Sequence, residues 1–191
     1  MEERFIDDEV FKKNNYTKNR LEKGEYDACT FVNCDFYNSD ISAVRFIDCE
    51  FIDCNLSSAN IYNTSFQNVI FQDCKMLGIN FEKCSDFAFS IKIDSCQLNH
   101  ASFYKKVLSK TSFINSKLNA VDFTESNLSD SIFDNCDLLN ATFKNTNLKG
   151  ADLENSINFI IDPENNNIEN AKFSLQSVIG LLTKYNIKIT D

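Results

Sequence analysis

Residues 116–138 read SKLNAVDFTESNLSDSIFDNCDL, and every fifth residue of this stretch, from Leu118 to Leu138, is leucine or phenylalanine. A period of five differs from the 3.6 residues of an α-helical turn and from the two-residue alternation of a flat strand. It indicates a coil whose backbone turns a corner about every five residues, so that each segment between corners directs one side chain inward. We call these inward apolar residues the centres of the repeat.

The same period extends along most of the chain. An apolar centre recurs at each fifth position over residues 11–81 and again over residues 93–153, although only 43% of all residues are hydrophobic. So long a series at a fixed spacing identifies an internal repeat. Over residues 98–143 the centres alternate leucine with phenylalanine. In a coil with four sides, residues ten apart lie on opposite sides, so these phenylalanines should face each other across the interior.

The position two residues before each centre holds small side chains, and we expect it to face inward at the side of the coil. Two positions in five are then buried, which fits a chain with 43% hydrophobic and 25% charged residues. All eight cysteines occupy this inner position: Cys29, Cys34, Cys49, Cys54, Cys74, Cys84, Cys96 and Cys136.

Three roles for these cysteines can be compared. A metal site needs convergent Cys-x2-Cys pairs or Cys/His sets, but the nearest cysteines are five residues apart, and the single histidine, His100, occupies an outward position. Stacked strands lie about 4.8 Å apart with parallel side chains, which exceeds the Cβ separation of about 3.8 Å in a disulfide. The pattern therefore favours cysteine as a small buried hydrophobe, and it suggests a reducing compartment.

Length and charge predict one elongated, acidic domain. The 191 residues carry a net charge of −9 and contain neither a signal-peptide pattern nor an apolar run long enough to span a membrane, so we expect a cytoplasmic protein. Direct nucleic-acid binding is disfavoured because it requires a basic face. The acidic surface suits a basic protein partner, and ordinary solubility charge is the alternative explanation.

Blocks such as Cys34-Asp35-Phe36 and Ala151-Asp152-Leu153 carry a further resemblance. They resemble the repeat A(D/N)Lxx of the pentapeptide-repeat family, in which leucine or phenylalanine is the centre. The resemblance covers residues 11–157 and implies an all-β fold, a right-handed quadrilateral β-helix with four pentapeptides in each turn. The length of the match predicts about seven turns, stacked into a rod about 35 Å long at the usual strand spacing.

Departures from the repeat define the expected domain boundaries. We assign residues 1–10 to an N-terminal cap, residues 11–157 to the β-helix with a register slip at 82–92, and residues 158–191 to a C-terminal cap. A single turn cannot bury enough surface to fold alone, so turns must stack on one another and the end turns need covers.

The register slip has two unusual features. Phe81 and Ile93 are twelve residues apart where ten is expected, so the intervening segment must bulge or loop. Exposure of Phe87 or Phe89 would suggest a partner contact, while the alternative that we favour is that both fold back inside. Lys106 occupies an inner position meant for a small residue, so we expect a distorted, solvent-facing corner there, with a basic recognition patch as the second interpretation.

The C-terminal segment predicts an amphipathic helix over about 174–185, with Ser174 as its N-cap and Asn186 as its stop. We expect the helix to cover the last turn of the coil. Its apolar stripe would also pair with a second copy in a two-fold homodimer, an arrangement that several members of the family use. The stripe consists of Leu175, Val178, Ile179 and Leu182.

The sequence argues against an enzyme, a cofactor or a metal site. A packed rod has no lumen for a substrate, and no nucleophile–base pair is apparent. The outward columns Asp53/Asp73 and Asp134/Glu154 lack the burial that general acid–base catalysis needs. We assign these four residues instead to an acidic face that binds a partner.

Two functions from different classes fit an acidic rod. The overall layout resembles the Qnr quinolone-resistance subgroup of the family, which binds type II topoisomerases by mimicking DNA. That resemblance implies DNA gyrase or topoisomerase IV as the partner, and a dimeric rod of roughly 70 Å. The chain departs from the subgroup because its only insertion is two residues long. The alternative is a structural or interaction module with an unrelated protein partner.

Overall fold

The computed structural model describes residues 4–190. Within this range it contains eleven short β-strands and three 3₁₀ turns, and it has no α-helix. The strands are β1 Arg4–Asp7, β2 Val10–Lys12, β3 Gly24–Asp27, β4 Thr30–Val32, β5 Arg45–Ile47, β6 Glu50–Ile52, β7 Ser65–Gln67, β8 Val69–Gln72, β9 Ile91–Asp94, β10 Ser112–Ile114 and β11 Ile132–Asp134.

The strands form two parallel sheets on two sides of a four-sided coil. One sheet has seven strands in the order β11-β10-β9-β8-β6-β4-β2, and we call it the long sheet. The other has the order β1-β3-β5-β7, and we call it the short sheet. Neighbouring strands pair equivalent residues of successive turns, such as Phe31 with Phe51. The other two sides are joined by isolated bridges such as Asn55 to Lys75. The predicted all-β solenoid of about seven turns is confirmed.

Most corners of the coil use a left-handed backbone residue. The residue two positions after a centre has φ between +49° and +63° at most corners, and Asn33, Asp53 and Asp73 are examples. Asparagine and aspartate tolerate this region better than most residues. Strands β1 and β2 pair with β3 and β4 in the same way as later strands do, so the described residues before Phe11 already follow the geometry of the coil.

The preference for aspartate or asparagine before the centre has a hydrogen-bonding cause. The side-chain Oδ1 of Asn127 accepts from the backbone N–H of Ser129 at 3.1 Å, and Oδ1 of Asn147 accepts from that of Lys149 at 3.2 Å. In addition, the Asn147 amide donates to Asn127 Oδ1 at 2.9 Å across one turn. These Asx turns satisfy backbone N–H groups at the corners, so the repeat motif stabilises its own turns.

The centres fill the interior with stacked rings. Phe31 and Phe51 stack with centroids 4.7 Å apart, which matches the spacing between parallel strands. Phe103 and Phe113, from opposite sides, meet edge to face at 5.9 Å with an interplanar angle of 81°. This is the predicted contact of phenylalanines across the interior. The interior is therefore closed by its own side chains.

The cysteines occupy the inner positions as predicted, and all eight are buried and unbonded. They also form hydrogen bonds that the sequence did not predict. The thiol of Cys54 accepts from the backbone N–H of Cys34 at 3.4 Å and lies 3.3 Å from the carbonyl oxygen of Phe31. Ser116 continues the same column and accepts from the N–H of Cys96 at 3.0 Å. A small side chain that both donates and accepts is what this column requires.

The register slip is absorbed at a single place in the long sheet. Residues paired between β8 and β9, such as Phe71 and Ile93, are farther apart in sequence than the residues paired between the strands before and after them. The extra length lies in residues 84–90, which follow the 3₁₀ turn Phe81–Lys83. We call residues 84–90 the slip bulge.

The two phenylalanines of the slip bulge have different environments. Phe89 packs against the core, with its ring centroid 6.2 Å from that of Phe81. Phe87, in contrast, is 76% exposed. The expectation that both rings fold inside is therefore right for Phe89 and wrong for Phe87.

The expectation of a solvent-facing corner at Lys106 is wrong. Its side chain is 2% exposed, and its ammonium donates to the carbonyl oxygen of Cys84 at 2.8 Å and to Oδ1 of Asp86 at 2.6 Å. The ammonium also lies 4.9 Å from the centroid of the Phe89 ring. Asp86 stands where the next centre would fall and points outward, which leaves interior space. The long lysine side chain fills that space, so no basic patch forms at this position.

The predicted C-terminal α-helix is also wrong. Two 3₁₀ turns, Ser177–Leu181 and Thr183–Tyr185, replace it. The expected caps nevertheless form: the Ser174 hydroxyl accepts from the N–H of Ser177 at 3.1 Å, and Asn186 has the left-handed φ of 49°. β-Branched residues and a glycine within this segment lower its helix propensity.

The 3₁₀ turns cover the last turn of the coil. Gly180 lies so close to Phe159 that an added Cβ would collide with the Phe159 carbonyl oxygen, and the N–H of Ile161 donates to the Gly180 carbonyl at 3.2 Å. Leu181 is the buried residue of this cap, rather than Leu182. The segment therefore still covers the last turn of the coil, and its 3₁₀ turn allows Gly180 to approach Phe159 closely.

Candidate functional site

The outer surface of the long sheet concentrates the negative charge of the chain. Its segments within residues 49–155 carry seven acids and one basic residue, Lys92, a formal charge of −6, whereas the two ends of the same side carry Glu9, Lys12, Lys13 and Lys172. We call the part of this side within residues 49–155 the acidic face. Its acids are Glu50, Asp53, Asp73, Asp94, Asp134, Asp152 and Glu154.

The structure places all four predicted partner-binding acids on this one face. Asp53 and Asp73 lie at the corner in successive turns, because the N–H of Asp53 donates to the carbonyl of Gln72, whose neighbour is Asp73. Asp134 lies on β11, and Glu154 follows in the next turn. Successive turns are separated by about 4.8 Å, so the acids form rows along the rod.

Sequence reasoning missed three acids of the face: Glu50, Asp94 and Asp152. Asp94 pairs with Gln72 on one side and with Ile114 on the other, so it joins the two halves of the row. Its column can be assigned from the sequence only after the insertion in the repeat has been located. The sequence did contain a signal for Asp94, since this residue directly follows a centre, as Asp134 does.

Side-chain amides hold two of these carboxylates. Asn155 donates to Asp134 Oδ1 at 2.9 Å, and Asn115 donates to Asp94 Oδ1 at 3.3 Å. Asn135 donates in turn to Asn115 Oδ1 at 2.9 Å. The rigid backbone and this asparagine ladder fix the positions of the charges before any partner arrives, which lowers the entropic cost of binding.

Between the acids, the face presents β-branched apolar residues. Ile52 and Ile114 are half-buried and occupy one column of the long sheet, while Ile132 on β11 is 45% exposed. β-Branched residues fit a pleated, half-buried surface. The face is consequently a flat wall of carboxylates and aliphatic groups.

Charges on other sides of the coil are mostly balanced by partners in the next turn. Glu25 pairs with Arg45 on the short sheet, and Lys105 pairs with Glu125 at 3.4 Å near an opposite corner. Such exposed pairs contribute little stability, but they neutralise the local field. The acidic face has one such pair, between Asp152 and Lys172 of the next turn at 3.1 Å, and it stands out because seven acids face one lysine within residues 49–155.

Catalytic groups do not converge in the described part of the chain. His100 is exposed at a corner, and residues 4–190 contain no cluster of three or more His, Cys, Asp or Glu side chains arranged to hold a metal ion. Burial raises the pKa of Cys49 and of Cys136 to about 12, so these thiols stay protonated at neutral pH. No helix within the same range is long and apolar enough to cross a membrane.

The C-terminal end carries a separate apolar surface. Of the four residues in the predicted stripe, Leu175 is 90% exposed and Ile179 is 48% exposed, whereas Val178 packs against the core and Leu182 is half-buried. The 3₁₀ geometry splits the stripe, because its residues no longer share the period of an α-helix. Three exposed residues that the sequence analysis did not assign extend the surface: Tyr185, Ile187 and Ile189.

Comparison with known proteins identifies a family with this repeat. The family model described as a pentapeptide repeat region matches residues 24–91 and 89–157. No curated protein matches the chain significantly.

Solved structures share the fold. One is trypsin-treated QnrB1, a plasmid-mediated fluoroquinolone resistance protein, which is 21% identical with a TM-score of 0.64 and with 98% of this chain and 100% of that chain covered. Another is HetL of the cyanobacterium Nostoc sp. strain PCC 7120, a pentapeptide repeat protein involved in heterocyst differentiation regulation. It is 11% identical with a TM-score of 0.54, covering 88% of this chain and 85% of that chain. The repeat of five, the four-sided parallel coil and the family match together show that the chain belongs to the pentapeptide-repeat family and has its right-handed quadrilateral β-helix.

Proposed function

We propose that the chain is a non-catalytic protein-binding rod whose acidic face docks into the basic DNA-binding groove of a type II topoisomerase, either DNA gyrase or topoisomerase IV. The observation that carries the proposal is the gathering of seven acids and one lysine within residues 49–155 on one flat side of a rigid rod. A basic groove that normally holds a duplex is complementary to such a side in sign and in length.

The fold likeness to QnrB1 supports the choice of partner. That protein is described as a fluoroquinolone resistance protein, and type II topoisomerases are the targets of those drugs. Binding in the DNA groove would change how the enzyme handles DNA, and with it sensitivity to quinolones. Because the likeness is one of fold, the acidic face carries the argument for this chain.

The charge density sets the expected strength of mimicry. A net charge of −9 over about seven turns of about 4.8 Å amounts to roughly one charge per 4 Å, against one per about 1.7 Å in duplex DNA. The rod should compete with DNA less strongly for each unit of length. Its aliphatic residues must add contact area that does not depend on salt.

A homodimer through the C-terminal surface fits this role. Leu175, Ile179 and Ile187 expose apolar area beside the cap, and pairing two copies there would cover it. The dimer would present two acidic faces along a rod of roughly 70 Å, which is long enough to span both halves of a two-fold symmetric enzyme.

The alternative function is a structural or interaction module with an unrelated protein partner. The asparagine ladder that joins Asn115 to Asn135 favours it, because a flat polar wall binds proteins of many kinds. A module of this kind has no effect on topoisomerase activity, so one assay separates the two functions.

The test is a DNA supercoiling assay with purified gyrase and the purified chain. We expect inhibition at micromolar protein that weakens as salt is raised. The variant Asp53→Asn/Asp73→Asn should inhibit at least about fivefold less, because it removes two charges from the face. Asparagine keeps the left-handed corners, so the fold is preserved. The matched control is Glu125→Gln, which changes an acidic corner on another side and should inhibit like the wild type. Absence of inhibition by the wild type would favour the alternative.

A further inference from the structure

The slip bulge projects an aromatic ring that the repeat does not require. Phe87 is 76% exposed, more than the next aromatic side chain, Tyr62, at 66%. Single exposed apolar residues are common on protein surfaces, so exposure alone carries no conclusion. The way in which the chain supports this ring is the informative feature.

Both ends of the bulge are fixed to the turn before it. The N–H of Ser85 donates to the carbonyl of Thr64 at 2.9 Å, and the N–H of Ser90 donates to that of Phe66 at 3.0 Å. Between these points, the N–H of Phe87 donates to the Ser85 hydroxyl at 3.2 Å. The ring is therefore presented on a short, pinned segment.

Lys106 supports the bulge from below. It binds the carbonyl of Cys84 and the carboxylate of Asp86, and it lies under the ring of Phe89, so one buried ammonium contacts three residues of the bulge. Burying a charged lysine has a free-energy cost that only good hydrogen bonds offset. At most other turns this inner position holds cysteine, serine, threonine or alanine, so the exception coincides with the interruption of the repeat.

The charged groups nearest the ring are ion-paired, and the acidic partner is the exposed one at the bulge. The Asp86 side chain, next to Phe87, is 86% exposed, while the charge of Lys106 is withdrawn into the interior. Beneath Phe87 lies an open groove that includes Ile47 and the paired side chains of Glu25 and Arg45. The last residue of the bulge leads directly into β9 on the long sheet, so the bulge adjoins the acidic face.

We propose that the slip bulge is a docking knob, with Phe87 as an anchor that enters an apolar pocket on the partner of the acidic face. The occupant it fits is a protein surface with basic groups around that pocket, because the bulge leads directly into β9 of the acidic face. Lys106 is a positioning residue that keeps the knob in place. The proposal rests on the proposed function for the identity of the partner and adds to it a contact that is independent of charge.

The first measurement is the Kd of the full-length chain for purified DNA gyrase, by fluorescence anisotropy. Phe87→Ser should weaken binding by about tenfold or more, as loss of an aromatic anchor does, with little change in salt dependence. Tyr62→Ser is the matched control, since it removes an aromatic ring of similar exposure from another side, and it should bind within about twofold of the wild type. Thermal unfolding of both variants checks that the fold is intact.

The second measurement places a photoreactive benzophenone amino acid at position 87 or, separately, at position 73 on the acidic face, and identifies crosslinked proteins in cells that express the chain. Crosslinking of gyrase from both positions supports both proposals. Unchanged affinity of Phe87→Ser, in a chain that binds gyrase, overturns the docking knob alone. If the wild type does not bind gyrase, the proposed function fails. The docking knob then fails with it, because the partner that the knob is proposed to enter is gyrase.

Discussion

The ammonium of Lys106 lies 2.6 Å from Oδ1 of Asp86, so a side chain that is 2% exposed is paired with one that is 86% exposed. The pair links the interior of the coil to its surface at the register slip. The Asp86 carboxylate remains solvated, whereas the Lys106 ammonium is removed from water. The contribution of this pair to folding therefore depends mainly on the groups that surround the lysine.

Lys106→Ser should destabilise the fold although serine is a usual residue at this inner position. The substitution removes the stem that fills the space behind Asp86 and leaves a cavity, so we expect a loss of about 2–4 kcal/mol in the free energy of unfolding. Urea denaturation measures it. Lys117→Ser, at an exposed outward position, should change stability by less than about 0.5 kcal/mol. Equal stability of Lys106→Ser and the wild type would show that the lysine has no supporting role.

The eight thiols should be unreactive in the native protein. All are buried, which keeps a reagent away from them, and burial raises the pKa of Cys84 to about 11, so little of that thiol is ionised at neutral pH. Ellman's reagent at pH 8 should titrate almost no thiol in buffer and eight in guanidinium chloride. Rapid labelling of several cysteines under native conditions would contradict the sealed interior.

Alkaline pH should destabilise the protein. Cys49 and Cys136 have pKa values of about 12 in the folded chain against an ordinary value of 9.0, so above pH 9 the unfolded state releases protons that the folded state keeps. The free energy of unfolding should therefore fall between about pH 9 and pH 12, with each thiol contributing up to about 1.4 kcal/mol per pH unit. Urea denaturation at pH 7.5 and pH 10 measures the loss.

Cys136→Ser provides the control for that measurement. Ser116 and Ser156 already occupy the same column and form the same kind of hydrogen bond, so serine fits there without a titrating group. The variant should lose less stability between the two pH values than the wild type does. Identical losses would mean that Cys136 does not titrate in this range.

The C-terminal surface should control the oligomeric state. Leu175→Glu places a charge at a side chain that is 90% exposed in the single chain but would be desolvated in the proposed dimer. We expect sedimentation equilibrium to show a dimer for the wild type and a monomer for the variant. Leu139→Glu changes an exposed leucine on the side of the coil and should remain dimeric. A monomeric wild type would contradict the proposed homodimer.

Gly180 tests the cap separately from the dimer. Gly180→Ala adds a Cβ that collides with Phe159, so the 3₁₀ turn must move away from the rod end. We expect a destabilisation of about 1–3 kcal/mol and faster hydrogen exchange at the amide of Ile161. Thr183→Ala, which alters an exposed residue of the cap, should leave that amide protected.

The periodic part of the fold could be predicted from the sequence because each repeat imposes the same local geometry. The stacking of Phe31 on Phe51 and the inward cysteines follow from position alone. The places that failed are those where the period stops. The burial of Lys106 could not be predicted, because it depends on the interior space that is left where Asp86 replaces an apolar centre. The helix over 174–185 failed because contact of Gly180 with Phe159, which is distant in sequence, overrides a local apolar pattern.

The acidic face was predictable in part for the same reason. Asp53 with Asp73, and Asp134 with Glu154, could be paired because the members of each pair hold equivalent positions in successive turns. Placing both pairs on one side required the slip to be located, since the longer connection between β8 and β9 joins the two halves. Part of the pattern is also structural, because aspartate at a corner such as Asp53 suits the left-handed backbone.

The central claim is that the acidic face binds the DNA groove of a type II topoisomerase, and the salt dependence of the affinity for purified gyrase tests it most directly. We expect the Kd to rise steeply between about 50 and 300 mM KCl, and Asp53→Asn/Asp73→Asn to bind more weakly with a shallower salt dependence. A salt-independent affinity, or equal affinities of the double variant and the wild type at low salt, would contradict the account.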